Sequence, residues 1–108
     1  MGVLQAIAEG RAYDPLSDPM LARINAEDAA TYADCDQAET VALIRQSAAT
    51  VAAAVRGFTD EQLARSGVFL AEEEADSVAV WIEYVLIGHP GLHLPHIRAA
   101  AASVAGAG

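Results

Sequence analysis

The clearest periodic stretch of the chain lies between Asp36 and Gly57. There Val41, Ile44, Ala48, Val51 and Val55 recur at three- and four-residue steps. Such spacing puts them on one side of an α-helix, as a narrow apolar stripe suited to a neighbouring helix. Asp36 and Glu39 form a capping box at its start, and Gly57 closes it. With roughly 20 residues this helix is about 30 Å long. Upstream, Val3, Leu4 and Ile7 predict one or two helical turns over residues 3–10, stopped by Gly10. Tyr13-Asp14-Pro15-Leu16-Ser17 reads as a loop. Asp18 then caps a short helix with Pro19 at its first position, carrying Met20, Leu21 and Ile24 to about Ala33.

Thr59-Asp60-Glu61-Gln62 is a second capping box and starts a single turn that Gly67 breaks. Val68, Phe69 and Leu70 are expected to be extended and tucked under the helices. The last helix is expected to begin between Glu73 and Asp76, with Glu72-Glu73-Glu74 opposing the positive end of its dipole. Its apolar face is Val78, Trp81, Ile82, Val85 and Leu86. Pro90 removes a backbone donor and crowds the preceding turn, so a kink or break is expected there. The helix resumes through Ile97 to about Ala102, and residues 103–108 form a frayed, flexible tail. No internal repeat is present. Residues 1–102 read as one domain.

Composition sharpens this reading. Of 108 residues, 25 are Ala, and Ala with Glu, Gln, Arg and Leu favours helix throughout. The class is therefore all-α. Ala buries little area, so the core is thin for an isolated copy and a partner chain is expected. The formal charge is −9, with no Lys, which excludes a basic footprint for nucleic acid. No apolar run approaches the roughly 20 residues needed to span a bilayer. The start of the chain lacks the pattern of a signal peptide, and the expected location is cytoplasmic. One cysteine, Cys35, excludes an internal disulfide, and its flanking aspartates make it a poor nucleophile. There is no phosphate-binding loop, nucleophile elbow or dinucleotide fingerprint.

The candidate chemistry is concentrated in His89, His93 and His96. On one continuous helix, residues 78, 82, 85, 89, 93 and 96 form a single stripe, apolar in its first half and imidazole in its second. His89 and His93, one turn apart, project side by side and suit a divalent ion such as Zn, Ni or Fe. Two ligands leave a shell incomplete. The third ligand would be His96, a carboxylate from another helix, or a residue of a second chain. In the alternative, the three histidines are structural groups near a helix end, where the dipole favours them. Arg98 would either hold an anionic ligand or compensate the dipole.

Several of these segments resemble the DinB-like superfamily of metal-binding four-helix bundles. Val3-Leu4-Gln5-Ala6-Ile7-Ala8-Glu9-Gly10-Arg11 is similar to the end of that family's second helix. Arg23-Ile24-Asn25-Ala26-Glu27 is similar to the stretch after its loop, and Phe58-Thr59-Asp60-Glu61-Gln62-Leu63 to the turn after its third helix. Ile87-Gly88-His89-Pro90-Gly91-Leu92-His93-Leu94-Pro95-His96-Ile97-Arg98 resembles its fourth helix, with an H-x-x-x-H pair followed by Ile-Arg. The resemblance implies a divalent metal held by three histidines, two of them matching His89 and His93. It also implies a thiol cosubstrate of the mycothiol or bacillithiol type, in transfer reactions or in maleylpyruvate isomerisation. No histidine precedes His89, so the family's third ligand has no counterpart in this chain.

The expectation is therefore a truncated up-down bundle of about three helices, completed by homodimerisation. Val41, Ile44, Val51 and Val55, with Trp81, Ile82 and Val85, would form the shared core. The chain would be a non-catalytic member of the superfamily or, alternatively, a metal-dependent thiol transferase or isomerase using His89 and His93.

Overall fold

The computed structural model describes residues 1–107, the last without its side chain. Its first helix, α1 (Gly2–Glu9), ends at Gly10, whose φ of 68° places it in the left-handed region. Its amide donates to the carbonyl of Ile7 at 3.2 Å, while the Arg11 amide reaches Ala6 at 2.9 Å. Glycine reaches this conformation without the strain a Cβ would add. One face of α1 supplies Leu4, Ile7 and Ala8 to the core.

α2 (Asp18–Thr31) is capped by Ser17, one residue before the expected Asp18, through a long 3.4 Å contact from the Met20 amide. α3 (Gln37–Arg56) carries the capping box foreseen in its sequence: Asp36 Oδ1 accepts from the Glu39 amide at 2.8 Å. α4 (Asp60–Ala64) has the second box, with Thr59 Oγ1 accepting from Gln62 N at 3.1 Å and Gln62 Oε1 accepting from Thr59 N at 2.9 Å.

The protein is mostly helical, with a small sheet that the sequence did not announce. β1 (Ser66–Gly67) pairs antiparallel with β2 (Asp76–Ser77), Ser66 facing Ser77 and Gly67 facing Asp76. The intervening Glu72-Glu73-Glu74 lies in turn and irregular backbone rather than at a helix start. Ser77 takes over as the cap of α5 (Val78–Trp81), accepting from Val80 N at 3.2 Å. Long-range pairing with Ser66 fixes this boundary, and local propensity could not reveal it.

α5 continues without interruption into a π-helical segment (Ile82–Gly88) and then α6 (His89–Ala107). The junction residues Ile82 and His89 both keep right-handed helical angles. Of the kink or break expected at Pro90, the break is absent, and the irregularity takes the form of the π-helical turn that ends at Gly88. In a helix that runs on through residue 90, the proline supplies no amide to the turn before it, and the π-helical segment ends at this point. The wider π turn before it is marked by the His89 amide donating to the carbonyl of Tyr84. α6 also runs past Ala102 to Ala107, because 99–102 are all Ala and residues 103–105 add no breaker. Gly108 lies outside the described residues.

The core is small. Leu4, Ile7, Ala8, Phe69, Val78, Trp81 and Ile82 form it, with Tyr13, Leu16, Val55, Phe58 and Leu63 packed at its edge. Phe69 and Trp81 stack at a centroid distance of 5.5 Å. α2, α3 and α6 bury no residue among those described. They do not close an up-down bundle within one copy, because only the C-terminal end of α3, at Val55, reaches the core. Trp81 and Ile82, expected in a core shared between copies, are covered by their own chain. The radius of gyration is 16.4 Å, against about 13 Å for a compact domain of this length.

Candidate functional site

The continuous helix over residues 78–107 decides where the histidines go. Its first turns are held by the core through Val78, Trp81 and Ile82, and it then projects outward, so that residues 89–106 are all exposed. The sequence expectation that His89 and His93 project together is met in geometry. Their Nε2 atoms are 3.1 Å apart and their rings meet edge to face at a centroid distance of 4.7 Å.

Without a metal, this contact has the length of a hydrogen bond in which Nε2–H of one ring donates to a bare Nε2 of the other, the roles being set by the tautomers. The same separation also fits two nitrogens on one zinc at about 2.0–2.1 Å, with an angle between them of about 100°. The pair thus supplies two ligand positions and leaves the others open. His96, three residues further on, makes no hydrogen bond to either ring among the described residues. No group of three His, Cys, Asp or Glu side chains comes together among the described residues, so no carboxylate of the same copy completes the shell.

His89 also borders a shallow cleft of about 230 Å³ with Tyr84, Gly88 and Leu92. A larger cleft of about 520 Å³ lies on the body, where Glu72, Glu73, Glu74 and Asp76 surround Trp81 and Tyr84. Sequence reasoning missed this grouping, since it placed the three glutamates at the start of the last helix, facing the positive end of its dipole. All of the cleft's lining comes from the stretch 72–84, where irregular backbone before β2 takes the place of the expected helix start. Cys35 is a free, half-buried thiol in a groove with Tyr32, Asp34 and Glu39. Arg98 sits in the interior of α6 and not in its last turn, which leaves little for it to do as a dipole-compensating group.

No helix among the described residues is long and apolar enough to cross a membrane. Comparison with protein-family models, with curated proteins and with solved structures finds no match to this chain.

Proposed function

We propose that the chain is a non-catalytic, self-associating helical protein of DinB-like type, a cytoplasmic homodimer whose open helix faces cover one another. The observation that carries this reading is the exposed area. One copy exposes 7846 Å². A folded monomer of 11.2 kDa exposes about 5,700 Å². The surplus, about 2,100 Å² per copy, is of the size that obligate homodimers bury. Much of it is apolar. Val41, Ile44, Ile87, Leu92, Ile97 and Val104 are all exposed, Ile44 at 63% and Val104 at 75%. A net charge of −9 argues against nucleic acid as the partner.

Sedimentation equilibrium tests the proposal. The expected mass is twice 11.2 kDa. Ile44→Asp is expected to shift the population toward monomer, because it places a charge in the α3 face. A single-copy mass at all concentrations would refute the proposal.

One observation favours a second reading, the 3.1 Å approach of His89 and His93. In that reading the pair holds a divalent ion (Zn, Ni or Fe) in a thiol transferase or isomerase of the mycothiol or bacillithiol type. The remaining ligands come from solvent or a second copy. The ion would supply Lewis acidity toward a thiol. Metal analysis of the purified protein distinguishes the two readings. Stoichiometric metal lost in both His89→Ala and His93→Ala, and retained in His96→Ala, supports the second. Metal content unchanged by either substitution removes it.

A further inference from the structure

The continuous helix over residues 78–107 carries only two formally charged side chains, Glu83 and Arg98. They stand about 20 Å apart along its axis. Both are exposed, and neither makes a hydrogen bond or ion pair among the described residues. The steps Glu83, Ile87, Gly91, Leu94, Arg98 are four, four, three and four residues, so the five share one side of the helix. That side faces away from the body, which is gripped by Val78, Trp81 and Ile82. Ile87 is 67% exposed and Leu94 46%.

The order along this face is self-complementary when reversed. Counted in residues, Glu83 and Arg98 lie equally far from a point between Pro90 and Gly91, and so do Ile87 and Leu94. We propose that this face forms the part of the contact between two copies that the long helix contributes, with the helices antiparallel about a two-fold axis at Pro90 and Gly91. Glu83 of each copy then meets Arg98 of the other, and Ile87 of each packs on Leu94 of the other. Such an isologous contact repeats every favourable pairing twice. A Cβ at Gly91 would find no atom within 4 Å in its own copy, so the helix surface there is open for a second backbone to approach. The occupant is a second copy, because the charged and apolar positions of this face match those of the same chain read in the opposite direction.

This inference rests on the self-association proposed above and adds the face and its direction. The test is a charge swap read by sedimentation equilibrium at low salt, with far-UV circular dichroism confirming that each variant is folded. Glu83→Arg and Arg98→Glu each place like charges opposite one another at two points. Each is expected to weaken dimerisation about tenfold. The double variant restores opposite charges at both points and is expected to return to within about threefold of the wild type. These differences should shrink in about 1 M salt, where screening reaches contact distances. If the wild type dimerises while the single variants match it, or the double variant is weaker than either single one, the antiparallel contact is wrong and self-association stands. A wild-type chain that remains monomeric overturns both.

Discussion

Trp81 Nε1 donates to the carbonyl of Gly67 at 3.0 Å, tying the start of the long helix to the edge of the small sheet. Trp81 is 5% exposed and Gly67 half-buried, so this bond is partly shielded from water. It gives the indole both a packing role against Phe69 and a polar anchor. Trp81→Phe would keep an aromatic ring but leave the Gly67 carbonyl without its donor. The expected cost is about 1–3 kcal/mol. Trp81 is the single tryptophan, so the measurement is urea denaturation followed by far-UV circular dichroism rather than by fluorescence. An unchanged midpoint would show that the bond contributes nothing to stability.

The same glycine is fixed by steric contact on its other side. A Cβ at Gly67 would lie 2.7 Å from the Tyr13 hydroxyl and 2.9 Å from Ile7 Cγ1. The hydroxyl is the tip of a half-buried side chain and can be removed, whereas Ile7 is locked in the core. Gly67→Ala is therefore expected to destabilise the fold by about 1–3 kcal/mol through overpacking. Adding Tyr13→Phe should recover part of that loss and not all of it, since the Ile7 contact remains. Equilibrium denaturation of the two single variants and the double variant would measure the coupling. Simple additivity would mean that Tyr13 is not the obstacle.

These two contacts mark the boundary of what the sequence discloses. Asp36 with Glu39 and Thr59 with Gln62 were readable because a capping box is a four-residue pattern whose partners are chain neighbours. Gly10 was readable for the same reason. The pairing of Ser66 with Ser77, by contrast, joins residues that share no local pattern, and it moved the start of the last helix to Val78. The approach of His89 to His93 followed from helical spacing alone. The apolar stripe of α3 was legible as a stripe, but which surface covers it is a question of tertiary and quaternary packing. Periodicity carries no information on that point.

The two capping boxes should respond differently to the same substitution. α4 packs against α1 and α5, so its first turn is coupled to the core. Thr59→Ala is expected to lower global stability by about 1 kcal/mol. α3 buries no residue, and Asp36 lies at the end far from Val55, its contact with the core. In the dissociated single copy, at low protein concentration, Asp36→Ala should therefore fray the first turns of α3 and reduce ellipticity at about 222 nm, with a smaller shift in the unfolding midpoint. Equal midpoint shifts for both would indicate that contacts outside a single copy still stabilise α3 along its length.

Pro95 offers the corresponding experiment on α6. It lies inside that helix, where it supplies no amide and its ring crowds the carbonyl of Gly91 one turn earlier. In a helix interior, proline is about 3 kcal/mol less favourable than alanine. α6 buries no side chain, so this penalty acts on the local helix–coil balance of the arm and not on the core. Pro95→Ala is expected to slow amide hydrogen exchange over the turns around residues 92–99 by about tenfold or more, while the denaturation midpoint changes little. Unchanged exchange would mean that this part of α6 does not set its own helicity. A large rise in the midpoint would instead show that the arm unfolds together with the body, with α5 and the π-helical segment transmitting its stability to Trp81.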